Sequence, residues 1–270
     1  YLDFERTGDV QWLTLPIAII DDWYDFHVTR HQISKFAWMD MMVGLRAMKL
    51  AFILSAHHAR LITLRNDQLN SYKILVDLHL EFLLDIENVA YSNHTFIDMH
   101  GLAALGSVVD NKRKIKIDNF LDKVIPTLIS SQFNKQGVHL ENSPGYQGFG
   151  IGCLKRLKSS GWFDAYGIDD IMCRANEVNE YFRMPDGRCA PIGDTDGKQM
   201  TNESLCCFNA TNQLIDASGY VIFRDDGKGL CAEASYLFFM AAFNSRFHKQ
   251  CDDLSCVWFE GEDILCDAGK

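Results

Sequence analysis

The apolar residues of this chain recur at two different spacings, and the change from one to the other constrains the fold more than any other feature. Before residue 184, apolar side chains recur every three or four residues, as on one face of an amphipathic helix. Beyond a link rich in Gly, Pro and Asp, they occur in short runs bounded by turn residues, which is typical of strands. The helical segments are 34–55, 69–86, 95–109, 117–129, 150–159 and 168–182, and the strand segments are 219–224, 232–243, 254–259 and 263–267.

The order of these segments predicts a multidomain chain that is helical first and β second. We expect helical hairpins in residues 1–200 and the start of an antiparallel β domain in residues 201–270. A length of 270 residues with 47% hydrophobic residues is enough to bury the core of one large domain or of two smaller ones. Because the predicted strands are too few for a complete β domain, the sequence indicates a fragment of a longer protein.

Net charge argues against nucleic acids and anionic membranes as partners, and the length of the apolar runs argues against a membrane span. The formal net charge is −10, whereas nucleic acids and anionic membranes need a basic surface. No apolar run approaches the ~18 residues of a membrane span, and the first residues do not resemble a signal peptide. The one dense basic cluster, NKRKIK at 111–116, is expected to be the solvated start of a helix.

All nine cysteines lie after residue 150. Their number is odd, and no CxxC pair or zinc-type Cys/His spacing occurs. The pattern predicts neither a disulfide framework nor a zinc site built on cysteines. It favours a reducing compartment such as the cytoplasm.

A polar pair, Asn93-His94, stands at the start of one predicted helix. Asn93 fits the role of a helix N-cap, which is a structural role. An amide and an imidazole at a helix N-terminus would also bind a carboxylate, because free backbone N–H groups and the helix dipole favour negative charge there. Both interpretations stay open on the residues alone.

Two further groups combine residues able to move protons. The polar stretch 137–150 is predicted to be a loop with Tyr146 at its centre, and a tyrosine there is more often a partly buried aromatic residue than an acid or base. The stretch 243–270 sets His248 beside Arg246, Lys249 and a pair of aspartates, immediately before the strand pattern resumes. Strand patterning does not require such a cluster, so a functional role is a reasonable alternative to an exposed edge.

Taken together, these groups resemble the heparinase II/III-like polysaccharide lyases. The pieces that carry the resemblance, in order, are AWMDMMVGLRAMKL, Asn93-His94, HLENSPGYQ, PIGDTD at 191–196, GYVIFR, and FHKQCDDLS leading to ILCDAG. The resemblance implies an incomplete α/α toroid followed by an antiparallel β-sandwich, which agrees with the order of helices and strands. It also implies an enzyme that cleaves an acidic polysaccharide, such as a glycosaminoglycan or alginate, by β-elimination in the bacterial periplasm or outside the cell.

The resemblance assigns roles to individual residues of this sequence. Asn93 and His94 match the positions that neutralise the uronate carboxylate, Tyr146 matches the acid/base, and His248 matches the histidine that acts with it. The positions expected to bind substrate are Arg46, Glu141, Asn142 and Arg246.

A structural zinc site of the kind found in some members of this family is only partly matched. Asp267 keeps the position of one ligand, but Gln250 stands where a ligating histidine is expected. An amide is a poor zinc ligand beside imidazole or carboxylate, which argues against a zinc cofactor here.

Two alternatives to a lyase follow from the residues. A glycoside hydrolase on the same toroid would need two facing carboxylates, for which Glu141 with Asp194 or Asp98 are candidates. A glycan-binding protein without catalysis would keep the fold alone. The presence of Asn93, His94, Tyr146 and His248 together favours the lyase.

Overall fold

Eight α-helices precede five β-strands in the part of the chain that the computed structural model describes, which is residues 1–32, 34–200, 213–215, 219–225, 233–241 and 254–266. The helical-then-antiparallel order predicted from the sequence is therefore confirmed. Two units are distinguished, residues 1–128 and residues 129–270. The helices are α1 (Leu2–Thr7), α2 (Gln11–Tyr24), α3 (Met42–His58), α4 (Asn66–Leu83), α5 (Asn93–Gly106), α6 (Asn111–Gln132), α7 (Pro144–Ser160) and α8 (Ile168–Tyr181).

In the first unit, α3 and α5 pack backbone against backbone through two glycines. A Cβ atom on Gly44 would lie 2.5 Å from the Cα of Asp98, and one on Gly101 would lie 2.6 Å from the Cα of Gly44. Real Cβ atoms do not approach backbone so closely, so only glycine permits this crossing. The Gly44 N–H also donates to Oδ1 of Asp98 at 3.0 Å, which ties the two helices together.

In the second unit, the strands form one antiparallel sheet in sequence order, β1-β2-β3-β4-β5. Aromatic rings of Phe182, Tyr220 and Phe238 pack between the end of α8 and this sheet, with centroids 5.1 to 5.6 Å apart. The hydroxyl of Tyr236 donates to the Tyr181 carbonyl at 2.9 Å, which joins the sheet to α8. The strands are β1 (Gln213–Ile215), β2 (Tyr220–Asp225), β3 (Ser235–Met240), β4 (Cys256–Glu260) and β5 (Asp263–Leu265).

Several element boundaries differ from those predicted. The predicted helix 34–55 begins only at Met42, whereas α1, α2 and β1 were not predicted at all. The basic cluster at 111–116 is the exposed first part of α6, as predicted. The division into helical residues 1–200 and β residues 201–270 stays a prediction.

The prediction that Tyr146 lies in a loop is wrong. Helix α7 begins at Pro144, six residues before the predicted start at residue 150, so Tyr146 lies in its first turn. The glycines of PGYQGFG lower the helix propensity of this turn. The spacing of apolar residues therefore did not predict a helix here. The signal that marks the true start is Ser143-Pro144, because Ser is a common N-cap and Pro is favoured at the first helical position.

Within the described residues, none of the helices has both the length and the apolar character that crossing a membrane requires.

Candidate active site

His94 is held by a carboxylate from a segment distant in sequence. It is the second residue of α5, and its Nδ1 atom lies 2.8 Å and 2.9 Å from the two carboxylate oxygens of Asp40. Both side chains are part-exposed, at 39% for His94 and 44% for Asp40. The ring is therefore oriented by the protein and remains partly exposed to solvent.

Asn93 begins α5 and is 3% exposed, with Ser92 at the N-cap position. The observed N-cap residue, Ser92, is thus one position before Asn93, the residue predicted for this role. Asn93 and His94 lie together in the first turn of a 14-residue helix, where the helix dipole favours an anion. The turn is chemically suited to a carboxylate group.

Asp98, one turn further along α5, is buried at 8% exposure. The pKa of its carboxyl group is raised from the ordinary value of 3.8 to about 7, chiefly by burial and partly by the charge of Asp40, against the Gly44 N–H bond and the charges of His94 and Arg46, which lower it. The carboxyl group therefore titrates near neutrality, directly below the turn that carries His94.

Arg46 projects from α3 into an aromatic environment. Its guanidinium carbon lies 4.7 Å from the ring centroid of Trp23 and 5.5 Å from that of Trp38, and its Nη2 atom donates to the Ala37 carbonyl. Burial lowers the pKa of Arg46 to about 10, against the charge of Asp98, which raises it. Its Nε atom is buried and has no hydrogen-bond partner among the described residues.

A half-open pocket of about 370 Å³ in the first unit is lined mostly by apolar side chains, including Trp23, together with Arg46 and His79. His79 is 1% exposed, and its Nδ1 atom lies 2.7 Å from the Leu75 carbonyl. Burial lowers the pKa of His79 to about 4, so the ring is neutral at physiological pH. Arg46 thus contributes to an apolar wall, and its role in binding substrate stays a prediction.

Tyr146 lies in the first turn of α7 in the second unit, half-buried, with its ring centroid 5.8 Å from that of Phe149. The buried side chains of Thr195 and Gln147 hold this turn in place. Thr195, from the predicted PIGDTD link, accepts the Gly145 N–H through Oγ1 at 3.0 Å, and that hydroxyl also lies 3.0 Å from the Ser143 hydroxyl. The turn that carries Tyr146 is therefore tied to a segment some 50 residues later.

Gln147 fixes the same turn from its other side. It is 1% exposed; its Oε1 atom accepts the His139 N–H at 2.7 Å, and its Nε2 atom donates to the carbonyls of Gly137 at 2.8 Å and Ala175 at 2.9 Å. These three bonds join the segment before α7 to helix α8. Tyr146 consequently stands on a rigid support, as a residue that must be placed accurately requires.

Glu141 and Asn142 lie just before α7. Glu141 is partly exposed, and its N–H lies 3.4 Å from Nδ1 of His139. Asn142 is completely buried and has a φ of 54°, a left-handed conformation that asparagine adopts more readily than most residues. Their roles in binding substrate stay predictions.

The remaining predicted site residues, Arg246, His248, Gln250 and Asp267, lie outside the described residues. Within the described part of the chain, no group of three or more His, Cys, Asp or Glu side chains is arranged to hold a metal ion. The described cysteines, at positions 153, 173, 189, 256 and 266, form no disulfide with one another.

Comparisons with known proteins identify the fold. No protein-family model matches the sequence, and no curated protein matches it either. Solved structures of heparinase III and of a heparan sulfate lyase do match. A heparinase III structure has a TM-score of 0.66 and 14% identity, covering 99% of this chain and 48% of its own.

A mutant of the heparan sulfate lyase from Pedobacter heparinus matches with a TM-score of 0.62 and 18% identity, covering 99% of this chain and 47% of its own. A heparinase III with methylated lysines matches at 0.65 and 15%, covering 98% and 48%. This chain therefore has the fold of about half of a heparinase III structure, and the predicted resemblance is confirmed at the level of the fold. It spans about half the length of the structures that it matches.

Sequence reasoning assigned no role to Asp40, Gln147 and Thr195, whose hydrogen bonds involve His94 and the segment around the turn that carries Tyr146. Asp40 contacts a histidine 54 positions away, and Thr195 contacts a turn about 50 positions away. No local pattern encodes such contacts. A polar residue inside an apolar helical pattern, as Asp40 is in AWMDMM, was the only available signal.

Proposed function

We propose that this chain belongs to a polysaccharide lyase that cleaves an acidic, uronic-acid-containing polysaccharide by β-elimination. The observation that carries the proposal is the likeness of fold to heparinase III and heparan sulfate lyase structures along 98–99% of the chain. Because one of these similar proteins is a heparan sulfate lyase, a glycosaminoglycan is the first substrate class to test.

The reaction places three demands on the site. A base removes the proton from C5 of the uronate, the electron pair forms the C4–C5 double bond, and the C4–O4 bond breaks as an acid protonates the leaving oxygen. Negative charge accumulates on the uronate carboxylate while the C5 proton leaves. Donors preorganised around that carboxylate therefore lower the barrier more than any other single contribution.

Asn93 and His94 are the proposed donors to the carboxylate. They lie side by side in the first turn of α5, where the helix dipole adds to their effect. The contact between His94 and Asp40 supports this role, because it orients the imidazole before substrate arrives.

Tyr146 is the proposed acid/base, and His248 is proposed to act with it as base or as stabiliser, depending on the substrate epimer. The support for Tyr146 is its rigid placement in the first turn of α7, between the bonds made by Gln147 and Thr195. His248 enters on the resemblance alone. A positioned proton transfer of this kind contributes about 10²–10⁴-fold to the rate.

The test is an assay of the full-length protein against heparan sulfate, hyaluronan, alginate and bacterial capsular polymers. A lyase produces a C4–C5 unsaturated uronate, which is followed by its ultraviolet absorbance, whereas a hydrolase produces none. Tyr146→Phe should lower the rate by about 10²–10⁴-fold.

Tyr166→Phe is the matched control. Tyr166 is a half-buried tyrosine of the same unit, its ring centroid 6.1 Å from that of Phe163, and it has no proposed role. Its substitution should leave the rate unchanged. Absence of unsaturated product from the whole panel would refute the lyase proposal, and tight oligosaccharide binding without cleavage would favour a glycan-binding protein instead.

The raised pKa of Asp98 is the one observation that favours a glycoside hydrolase, because a hydrolase needs a carboxylic acid that stays protonated near neutrality. Asp98 is nevertheless 8% exposed and accepts the Gly44 N–H that joins α3 to α5. We therefore assign it a structural role. Reducing ends that appear without any unsaturated product would favour the hydrolase.

A further inference from the structure

The pair formed by Asp40 and His94 constrains which nitrogen of the imidazole carries a proton. Both carboxylate oxygens of Asp40 lie within 2.9 Å of Nδ1 of His94. A carboxylate only accepts hydrogen bonds, so Nδ1 must be the donor. In the neutral ring the proton is then on Nδ1, and Nε2 is left without one.

The free edge of the ring is the one that points away from Asp40. His94 is 39% exposed, and its Nε2 atom has no hydrogen-bond partner among the described residues. When the ring is protonated, Nε2 becomes a donor while Nδ1 stays bound to Asp40. A ring held in this way presents a single, oriented N–H to an incoming carboxylate.

The backbone of Asp40 is shaped for this contact. Its φ is 57°, in the left-handed region, just before α3 begins at Met42. Asp and Asn adopt this conformation more readily than other residues with a side chain. The charges of Asp40 and His94 both act on Asp98 on α5, and the charge of Arg46 on α3 acts on Asp98 as well.

We propose that Asp40 is a positioning residue, which fixes the tautomer and orientation of His94, so that Nε2–H of the protonated ring donates to the substrate carboxylate. The functional part of this inference rests on the proposed lyase reaction, whereas the tautomer does not. The two are therefore tested by different measurements.

The tautomer is read from the ¹⁵N chemical shifts of the His94 ring in the wild-type protein, with His94→Gln used to assign its signals. At a pH where the ring is neutral, we expect Nδ1 to be protonated and Nε2 to be bare. A ring protonated on Nε2 would overturn the proposal, whatever the enzymatic activity.

The consequence for activity is tested with Asp40→Asn, because asparagine retains the size of the side chain and tolerates the positive φ. Its amide can offer Nδ1 either an acceptor or a donor, so we expect a mixture of tautomers and a loss of kcat/KM of about tenfold or more. The loss should include kcat, because charge on the carboxylate grows during the reaction. Asp25→Asn is the matched control, since Asp25 is a part-exposed aspartate of the same unit that pairs with Arg30.

The outcomes are distinguishable. A wild-type ring protonated on Nδ1, with reduced activity in Asp40→Asn but not in Asp25→Asn, supports the whole inference. Unchanged kcat/KM in Asp40→Asn would overturn the role of Asp40 in the reaction. If the wild-type protein cleaves no polysaccharide, the proposed function fails, and the ring spectrum alone decides whether Asp40 positions His94.

Discussion

The buried carboxyl group of Asp98 should make the stability of this protein depend on pH in a direction opposite to that of most acidic residues. Its folded-state pKa of about 7 lies well above the ordinary value of 3.8 because the group is buried. Between these two values, the folded state holds a proton that the unfolded state has released. Stability contributed by this group is therefore complete below about pH 4 and is lost as the pH rises towards 7.

The perturbation that isolates this effect is Asp98→Asn. In the wild type, the Gly44 N–H donates to Oδ1 of Asp98 at 3.0 Å. An asparagine side chain keeps an oxygen that can accept this bond, but it cannot ionise. While the pH lies between the unfolded-state and folded-state pKa values of Asp98, the wild type loses about 1.4 kcal/mol of stability for each tenfold fall in proton concentration. Since the folded-state pKa is about 7, the variant should gain about 3 kcal/mol in unfolding free energy relative to the wild type between pH 5 and pH 8.

The measurement is urea unfolding of both proteins at several pH values, followed by tryptophan fluorescence. Comparing the two proteins at each pH cancels the contribution of His79, whose lowered pKa of about 4 makes stability rise with pH over part of the same range. Asp118→Asn is the control, because Asp118 is an exposed partner of Lys114 on α6. The reasoning would be refuted if the difference in unfolding free energy between wild type and Asp98→Asn stayed constant with pH, or if it grew in favour of the wild type as the pH rises.

Two further predictions concern how the helices are held. Gly101→Ala should destabilise the protein by about 3 kcal/mol or more, because its Cβ would meet the Gly44 backbone. In Gly152→Ala on α7 the new Cβ meets no atom within 4 Å, so this variant should gain up to about 1 kcal/mol of stability. Thermal unfolding measures both effects. Equal effects of these two substitutions would contradict the close crossing of α3 and α5. Thr195→Val should cost about 1–3 kcal/mol and lower any lyase rate, because it removes the acceptor of the Gly145 N–H, whereas Thr195→Ser should preserve both. A fully active and stable Thr195→Val protein would show that this hydroxyl does not support α7.

The order of elements could be predicted from the sequence because helices and strands impose different periods on apolar residues. The predicted strand 219–224 corresponds to β2 at Tyr220–Asp225, and the predicted helix 168–182 corresponds to α8 at Ile168–Tyr181. The spacing of apolar residues did not predict helical segments that contain few apolar residues. The first turn of α7 is an example, because glycines and a tyrosine occupy positions at which apolar residues would have revealed it.

The candidate site was only partly predictable, because the resemblance names residues expected to act on substrate but not the residues that contact them. Asn93, His94 and Tyr146 were recognised from short motifs that are contiguous in sequence. Asp40 and Thr195 act on them from about 50 residues away. A single sequence contains no record of such pairs, since a carboxylate in one segment and an imidazole in another are each compatible with many partners.

The crossing of α3 and α5 connects the fold to the site. Gly44 and Gly101 allow the two backbones to touch, and the bond from the Gly44 N–H to Asp98 fixes the register of the crossing. Asp40 precedes α3 by two residues and His94 is the second residue of α5, so this register determines whether carboxylate and imidazole meet. Two glycines that look unremarkable in their separate helices thus determine the geometry of the histidine. A larger residue at either position would be expected to disturb His94 as well as the packing of the first unit.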